Sequence, residues 1–375
     1  MITVDRVELF LLRLPLVHEF ETSSHRKGHL DHILVRITDT DGAVGWGESA
    51  CPTDPFFGNE NVETCWIMLR DYFAPALLGA PWEAPADAAR RLLQVKGNRF
   101  ARAAMDIACW DLASRRRGVS VAVALGGTAT EVPAGVSLGI EPTIDGLLAQ
   151  VALHVDQGYQ RIKLKIRPGW DVEPARRVRD TFPGIGLQVD ANGAYDGSRP
   201  DNDVFGRLDE LGLLMIEQPF EETDLLAHAR LQQRLSTPIC LDEAITTVAM
   251  TEAALELRAC RIVNVKVSRL GGLGPARAVH DLCRARGVPL WCGGMHEFGV
   301  GRAANIALAS LPGFTLPGDV SGSDKYFARD VVEPPVLADR GRVPVPAHRP
   351  GLGHEVIWSR VHDHRLRTAE IAAGR

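Results

Sequence analysis

The chain has 375 residues, of which 45% are hydrophobic and 24% are charged, and its formal net charge is −5. This composition is typical of a globular protein with a large core, and the length allows more than one domain. The small negative charge argues against a nucleic-acid-binding protein that relies on phosphate contacts. The sequence has no long apolar span and no secretory leader pattern, so we expect no association with a membrane.

The first 130 residues predict an α+β domain. Alternation of polar and apolar residues predicts antiparallel strands over 2–13, 31–38 and 43–48, and a helical pattern follows over about 60–117, clearest at Arg99–Arg116. The polar stretch 18–31 between the first two strands predicts a mobile loop, and it carries the basic run His25-Arg26-Lys27.

After residue 130 the pattern changes to short apolar runs that alternate with helical segments, for example at 247–259 and 275–286. Eight strands with seven helical connections are typical of a parallel α/β barrel of the TIM type. A doubly wound sheet is the alternative, although it usually has fewer strands and a glycine-rich phosphate loop. The predicted strands are 132–139, 161–166, 186–192, 214–219, 238–243, 262–268, 289–294 and 314–319.

The last stretch, rich in proline and glycine, shows no further strand–helix unit, and we expect it to return to the N-terminal domain. This gives a capping domain at 1–130, a barrel at 131–320 and a C-terminal segment at 321–375. The seven cysteines form no Cys-x-x-Cys pair, and several lie in apolar runs. We therefore expect buried, reduced thiols and a cytoplasmic location, with nothing to support a cysteine nucleophile.

Charged residues recur at the predicted strand ends, which is where catalytic groups of a barrel enzyme lie. From Lys165 the successive steps are 25, 27, 25 and 24 residues, and each charged residue closes an apolar run. A buried charge is costly there unless it is paired or bound to a metal. The strand-end residues are Lys163, Lys165, Asp190, Glu217, Asp242, Lys266 and Asp319.

Three of these strand-end residues are carboxylates on consecutive strands, namely Asp190, Glu217 and Asp242. Carboxylate oxygens without histidine or cysteine suit a hard cation, so we expect Mg²⁺, with Mn²⁺ or another divalent cation as the alternative. Each carboxylate alone would be better explained as a surface ion pair or a helix cap. Three in register, with lysines on both sides, favour a metal site.

The lysines suggest acid–base chemistry. Lys163 and Lys165 are two residues apart, so both point to the same face of their strand. Lys266 ends the sixth strand, which lies opposite the second in an eight-stranded barrel. A free lysine is a poor base at neutral pH, and we expect the nearby cations Lys163 and Arg269, together with the metal, to favour the neutral amine. Solvated strand ends are the alternative. Two opposed lysines predict removal of a proton from one face of a carboxylate substrate and its return to the other.

Taken in order, the motifs of the chain resemble those of the enolase superfamily, in its muconate-lactonizing branch. The greatest similarity is to the N-succinylamino acid racemase / o-succinylbenzoate synthase family, and it covers nearly the whole chain. The motifs are Gly-Trp-Gly-Glu at 45–48, Gly-Asn-Arg-Phe-Ala-Arg-Ala-Ala at 97–104, Gly-Val-Ser-Leu-Gly-Ile at 135–140, Lys-Leu-Lys-Ile at 163–166, Val-Asp-Ala-Asn at 189–192, Ile-Glu-Gln-Pro at 216–219, Leu-Asp-Glu at 241–243, Asn-Val-Lys at 264–266, Gly-Gly-Met-His-Glu at 293–297, Gly-Arg-Ala-Ala-Asn at 301–305 and Leu-Pro-Gly-Asp at 316–319.

The resemblance implies a modified (β/α)7β barrel beneath an α+β capping domain built from both ends of the chain, and a homo-oligomer of two to eight subunits. It implies Mg²⁺ held by the three carboxylates and Lys165 and Lys266 as the acid–base pair. Asn192 and Glu243 would orient the metal ligands. Arg269 behind Lys266 resembles members with racemase activity, whereas the synthase reaction of menaquinone biosynthesis, a syn dehydration, would need Lys266 only for its charge. The predicted substrate contacts are Arg26, Ser137, Met295, His296, Phe298 and Asp319.

Two features depart from the family pattern. His296 and Phe298 stand where an aliphatic and a small residue are expected, and the His25-Arg26-Lys27 run is unusually basic. We expect Phe298 to narrow the pocket, and His296 to contribute either a polar contact or a structural hydrogen bond. The basic run would bind a succinyl carboxylate or stay solvated.

Three other functions are compatible with the same scaffold. A dipeptide epimerase typically carries Asp-x-Asp at the eighth strand, but here the sequence is Asp319-Val320-Ser321. A muconate cycloisomerase is supported only by the shared scaffold. A barrel that has lost catalysis and serves as a binding scaffold would lack a metal ligand or a lysine, and all five are present.

Overall fold

The computed structural model describes residues 1–21, 26–197 and 203–374, so His25 of the basic run lies outside the described residues. A π-helical turn, Leu69–Phe73, and a 3-10 turn, Ser323–Lys325, interrupt the regular elements. The helices are α1 Val62–Met68, α2 Ala74–Leu77, α3 Pro85–Leu92, α4 Arg99–Arg116, α5 Val121–Leu125, α6 Ile144–Asp156, α7 Val172–Thr181, α8 Asp203–Asp209, α9 Leu225–Arg234, α10 Val248–Glu256, α11 Val267–Leu270, α12 Leu273–Ala285, α13 Gly299–Ala309 and α14 Trp358–His364. The strands are β1 Val4–Glu21, β2 Arg26–Asp39, β3 Val44–Ser49, β4 Glu131–Pro133, β5 Val136–Leu138, β6 Arg161–Lys165, β7 Gly186–Asp190, β8 Met215–Glu217, β9 Ile239–Leu241, β10 Ile262–Val265, β11 Leu290–Cys292, β12 Val332–Glu333, β13 Arg342–Pro344, β14 Glu355–Val356 and β15 Arg365–Ala372.

The capping domain is a four-stranded antiparallel sheet covered by helix α4. Its strand order is β15-β1-β2-β3, so the C-terminal strand pairs with the first strand of the chain. The sheet and helix pack so closely that a Cβ on Gly47 would lie 1.9 Å from the carbonyl oxygen of Ala104. Glycine is therefore required in the Gly-Trp-Gly-Glu motif, because no side chain fits between β3 and α4.

The stretch predicted as a mobile loop over 18–31 is largely strand. β1 continues to Glu21 and β2 starts at Arg26, with Phe20 opposite Lys27 and Glu21 opposite Arg26. The register shifts between Pro15 and Phe20, so the hairpin extends beyond the capping sheet despite its polar sequence. The polar composition does not predict these strands because most of the hairpin is exposed or half-buried, so no continuous apolar alternation is imposed on its sequence.

The barrel consists of seven parallel strands in chain order, from β5 to β11. The predicted first strand at 132–139 is divided, since β4 pairs with β13 and only β5 joins the barrel sheet. The predicted eighth strand at 314–319 is not a regular strand, partly because Pro317 has no N–H to donate. It makes isolated bridges at Phe314 to β11 and at Gly318 to Ala134 just before β5. These bridges connect the last strand to the first and give the (β/α)7β arrangement.

Capping domain and barrel are joined at two buried polar contacts. The Glu48 carboxylate, at the end of β3, accepts hydrogen bonds from the backbone N–H groups of Phe298 and Gly301 at the start of α13. On the other side, Asp106 in α4 accepts the N–H of Leu273 at the start of α12 at 2.7 Å. Both contacts satisfy helix N-termini that belong to the other domain.

All seven cysteines are buried and free of disulfides, as the sequence predicts. In the described part of the chain, no helix has the length and apolar character needed to cross a membrane.

Candidate active site

The charged strand-end residues converge at the carboxyl ends of neighbouring barrel strands. Lys165, Asp190 and Glu217 are the last residues of β6, β7 and β8, while Asp242 and Lys266 directly follow β9 and β10. The three carboxylates are at most 1% exposed. Adjacent parallel strands end at the same edge, so residues about 25 positions apart in sequence become neighbours.

Each carboxylate is paired with a lysine. Lys165 Nζ donates to Asp190 Oδ2 at 2.6 Å and Lys266 Nζ donates to Asp242 Oδ2 at 2.7 Å. Lys163 Nζ lies 3.0 Å from Glu217 Oε2 and 2.6 Å from Asp319 Oδ2. The lysines on β6 and after β10 are separated by three intervening strands and line the same chamber.

The electrostatics divide the carboxylates. Burial, reinforced by the charge of Asp190, raises the pKa of Glu217 to about 8. Burial also opposes ionisation of Asp190, but the charges of Lys165 and Lys163 outweigh it and lower the pKa of Asp190 to about 2. Glu217 is thus a buried carboxyl group with a raised pKa among other negative charges. A cation bound beside it would stabilise its ionised form.

The environment of Lys163 differs from the one expected of a cation that favours the neutral amine of Lys165. Burial disfavours its charge, but Asp319, Glu217 and Asp190 surround the ammonium group and hold the pKa of Lys163 well above its ordinary value. Its charge is therefore neutralised locally by carboxylates. Lys163 acts as a bridge between Asp319 and the two acidic strand ends.

A ring of polar side chains fixes the orientation of these groups. Asn192 accepts from Lys165 Nζ at 2.7 Å and donates to Glu243 Oε1 at 2.8 Å. Arg269 Nε lies 3.5 Å from Asp242 Oδ1, and the neighbouring carboxylates, outweighing burial, raise the pKa of Arg269. These are the positions of the three predicted orienting residues.

Two further orienting residues went unnoticed in the sequence. Gln188 Nε2 donates to Glu217 Oε2 at 2.6 Å, and Asn264 Nδ2 donates to Glu217 Oε1 at 2.8 Å. Gln188 and Asn264 lie two residues before Asp190 and Lys266, so they point to the same face one layer deeper in the barrel. In the sequence, these residues are marked as polar positions inside apolar strands, two residues before a charged strand end.

The donor chemistry of the site fits a hard cation. Three buried carboxylates lie on adjacent strands, and Asp242 Oδ1 is buried without a hydrogen-bond partner. Across residues 1–21, 26–197 and 203–374, no three Asp, Glu, His or Cys side chains are already arranged as a metal cage. Each of the three carboxylates has one oxygen engaged by a lysine ammonium group.

A chamber of about 60 Å³ lies in front of the lysines. Its floor is formed by the barrel strand ends, and its roof is formed by the β1–β2 hairpin and the segment around residues 52–57 of the capping domain. The lining residues are Phe20, Lys27, Pro52, Phe57, Ser137, Lys163, Lys165, Asn192, Lys266, Gly294, Met295, His296, Asp319 and Tyr326.

Of the predicted substrate contacts, four line this chamber, namely Ser137, Met295, His296 and Asp319. Met295 Sδ lies 3.8 Å from Lys266 Nζ. His296 stacks on Tyr326, with ring centroids 4.8 Å apart, and burial lowers the pKa of His296 well below its ordinary value. A neutral imidazole therefore faces the chamber.

Arg26 and Phe298 lie elsewhere. Arg26 forms an ion pair with Glu19 and its side chain is 65% exposed, because successive strand residues point to opposite faces and Lys27 takes the inward position. Phe298 is fully buried between His32 and Phe327. It packs the domain junction and does not narrow the chamber.

Phe57 and Phe20 are chamber residues that the sequence did not reveal. The Phe57 ring lies 5.7 Å from Lys266 Nζ and 5.2 Å from the Arg269 guanidinium carbon. Phe20 meets the edge of the His296 ring at 4.4 Å between centroids. Both are supplied by the capping domain, and no periodic pattern marks them.

The barrel, its capping domain and the strand-end carboxylates and lysines define a member of the enolase superfamily. Residues 3–126 match the N-terminal domain of the mandelate racemase / muconate lactonizing enzyme family, and residues 146–360 match the enolase C-terminal domain-like family. A crystal structure of an enolase superfamily member from Listeria innocua superimposes with a TM-score of 0.95 at 35% identity, covering 99% of this chain and 100% of that one.

Two curated relatives specify the family more closely. The o-succinylbenzoate synthase of Geobacillus kaustophilus is 46% identical over 95% of this chain and 94% of its own length. The N-succinylamino acid racemase of an Amycolatopsis species is 48% identical over 92% of this chain and 93% of its own length. The chain belongs to the N-succinylamino acid racemase / o-succinylbenzoate synthase family of enzymes.

Proposed function

We propose that the protein is a metal-dependent enzyme that removes the proton α to a substrate carboxylate, and that its substrates are N-succinylamino acids, the precursor of o-succinylbenzoate, or both. The observation that carries this proposal is the placement of Lys165 and Lys266 in one chamber, on strands separated by three others that carry the carboxylates. Relatives named for each activity match more than nine-tenths of the chain.

The proposed ligands of the metal are Asp190, Glu217 and Asp242, with Mg²⁺ as the cation that their oxygen donors suit. A bound Mg²⁺ would supply positive charge to the substrate carboxylate as its α-carbon loses a proton. A solved structure of the same fold, a dipeptide epimerase from Cytophaga hutchinsonii at 24% identity, is described as complexed with Mg. A metal bound by Asp190 and Asp242 would compete with the Lys165 and Lys266 ion pairs and so favour amines that are available to the substrate.

In the racemase reaction, one lysine removes the α-proton and the other lysine delivers a proton to the opposite face. Asn192 holds the Lys165 amine at 2.7 Å, and Arg269 lies behind Lys266 next to Asp242. Asn192 thus holds the Lys165 amine directly, whereas Arg269 acts on Lys266 through their shared neighbour Asp242. The fixed position of the Lys165 amine supports proton transfer at a defined face of the α-carbon.

In the synthase reaction, Lys165 alone would move the proton in a syn dehydration, and Lys266 would stabilise the negative charge that develops on the substrate. The 46% identical relative of that name favours including this activity. We give racemisation slightly more weight, because Arg269 accompanies Lys266 as in family members with racemase activity.

A dipeptide epimerase and a muconate cycloisomerase receive less support. Ser321 stands where an epimerase would have a second aspartate, and its carbonyl oxygen accepts from the Arg302 guanidinium. The site also argues against a scaffold without catalysis, because the two lysines and three carboxylates are all present at the strand ends. Seven free, buried thiols support a reducing, cytoplasmic location.

The test is incubation of the purified protein with Mg²⁺ and each enantiomer of N-succinylphenylalanine in D₂O. We expect deuterium at the α-carbon and formation of the opposite enantiomer, followed by NMR and circular dichroism. The hydroxylated precursor of o-succinylbenzoate, assayed in parallel by absorbance, tests the dehydration. Retention of the α-proton in every substrate together with no dehydration would exclude the proposed function.

A further inference from the structure

Lys27 differs from the other lysines of the chamber. Lys163, Lys165 and Lys266 each lie within 3.0 Å of a carboxylate oxygen. Lys27 also lines the chamber and is partly buried, but its ammonium group makes no hydrogen bond and no ion pair to the described residues. Burial lowers the pKa of Lys27, and the charges of Asp54 and Cys51 oppose this effect without outweighing it.

An ammonium group without a partner in a partly buried position is costly. The cost is recovered when an anionic ligand supplies the missing partner. Asp319 lines the chamber, and Asp190 and Asp242 lie at the neighbouring strand ends, but all three are engaged by lysines on the barrel side. Lys27, on the capping-domain side, therefore faces the part of a ligand that is distant from the reacting carbon.

His296 lines the same chamber as this amine. The charge of Lys27 is the main electrostatic influence on the imidazole after burial, and Phe20, opposite Lys27 in the hairpin, contacts the imidazole ring. His296 also has a left-handed backbone conformation, with φ of 63°, which is unfavourable for a side chain of this size. Its ring is fixed between Phe20 and Tyr326, and it makes no hydrogen bond to the described residues.

We infer that Lys27 and His296 form a subsite for a second, distal carboxylate of the substrate, with Lys27 supplied by the capping domain and His296 by the barrel. The ammonium group of Lys27 supplies the charge, and the neutral imidazole donates one N–H. The aromatic rings of Phe20 and Tyr326 hold the imidazole in position. The enzyme is thereby selective for dicarboxylates.

This inference rests on the proposed function and deepens it. The two relatives are named for an N-succinylamino acid and for o-succinylbenzoate, and a succinyl group ends in a carboxylate. One distal subsite would therefore serve both reactions while the strand-end groups act on different bonds. It also connects the two domains through the ligand, because the subsite needs one residue from each.

The experiment compares two ligands that differ only at the distal group, N-succinylphenylalanine and its terminal amide, N-succinamoylphenylalanine. Dissociation constants of the Mg²⁺-loaded protein are measured by calorimetry, and kcat/KM by α-proton exchange. Loss of a charged hydrogen bond is worth about 10- to 100-fold in affinity. We expect Lys27→Met to lower the affinity for the acid by that factor and the affinity for the amide by less than about threefold. His296→Phe keeps the ring stacking and should weaken the acid by a smaller factor.

Arg26→Met is the matched control, because it removes the same charge from the neighbouring, outward-facing residue; we expect no change for either ligand. Lys27→Arg retains the charge and should retain the preference for the acid, which excludes a folding defect at this position. Equal effects of Lys27→Met on acid and amide, or no effect on either, would overturn the subsite. If the wild type binds the acid more tightly than the amide but does not exchange the α-proton, the proposed reaction fails and the subsite stands.

Discussion

The floor and the roof of the chamber are built on different physical principles. On the floor, charged groups stand at the ends of barrel strands, and every carboxylate there is paired with a lysine. The roof comes from a hairpin and a loop of the capping domain, and it presents two aromatic rings and one ammonium group that has no ion-pair partner in the part of the chain that the structure describes. Rigid strands suit groups that must hold a fixed geometry for proton transfer, whereas a separate domain can change its contacts without disturbing that geometry. The division suggests that reaction and selection are carried by different parts of the chain.

Replacement of Lys165 by Met should have the largest effect. General acid–base groups contribute about 10²- to 10⁴-fold to rate, and Lys165 serves both proposed reactions. We expect kcat for racemisation and for dehydration to fall at least 10³-fold, measured by NMR and by absorbance. Thermal unfolding of the variant checks the fold, and loss of only one of the two activities would contradict a common base on the floor.

Asp106 tests the contact between the two domains. Burial, partly offset by the N–H groups of Leu273 and Gly274, raises the pKa of Asp106 to about 7. The native state therefore binds a proton that the unfolded state has released, and stability falls as pH rises from about 4 to about 7. Asp106→Asn has no carboxyl group to titrate here, so its stability does not show this fall. Between pH 5 and pH 8 its free energy of unfolding should therefore rise by about 3 kcal/mol relative to that of the wild type.

Urea unfolding at both pH values measures this difference. The exposed Asp145→Asn variant is the control and should follow the wild type. Parallel pH profiles for Asp106→Asn and the wild type would show that Asp106 is ionised in the native protein throughout this range.

Glu217→Gln tests the metal on the floor. A ligand present at 100 times its dissociation constant stabilises the native state by about 2.7 kcal/mol, so Mg²⁺ should raise the melting temperature of the wild type and chelation should reverse the effect. The variant removes one of three anionic donors and should lose most of this Mg²⁺-dependent increase. Glu131→Gln, on an exposed residue, should keep it. An equal Mg²⁺ response in the wild type and Glu217→Gln would remove Glu217 from the metal ligands.

Phe57→Leu tests the roof and should have the smallest effect. Cation–π contacts are worth about 0.5 to 2 kcal/mol, and Phe57 lies over both Lys266 and Arg269. We expect kcat/KM for racemisation to fall about three- to tenfold. Phe56→Leu changes the adjacent ring, which is 69% exposed, and should be neutral. Equal losses in both variants would show that the effect comes from the loop as a whole.

The floor could be predicted from the sequence because strand ends repeat. Charged residues that close apolar runs recur at steps of 24 to 27 residues. This regularity predicts the strand-end residues from the sequence alone, namely Lys165, Asp190, Glu217, Asp242 and Lys266. The same rule, extended one layer inward, would have found Gln188 and Asn264. Parallel strands determine which residues meet, so local patterns carry long-range information in this part of the molecule.

The roof could not be predicted in the same way. Phe20, Lys27 and Phe57 reach the chamber only because the capping domain docks on the barrel, and docking is a tertiary event. Polarity suggested a loop at 18–31 where the described residues form a hairpin, and it suggested Arg26 where the alternation places Lys27. Phe298 was predicted to narrow the pocket because it stands where the family pattern has a small residue, but its ring packs into the domain junction.

The central claim is that Lys165 and Lys266 act on opposite faces of one α-carbon. The most direct measurement is α-proton exchange in D₂O with each pure enantiomer of N-succinylphenylalanine, using Lys165→Ala and Lys266→Ala. We expect each variant to exchange only the enantiomer whose proton faces its remaining lysine, and neither to racemise. Racemisation at the wild-type rate by Lys266→Ala, or exchange of the same enantiomer by both variants, would contradict the two-lysine account.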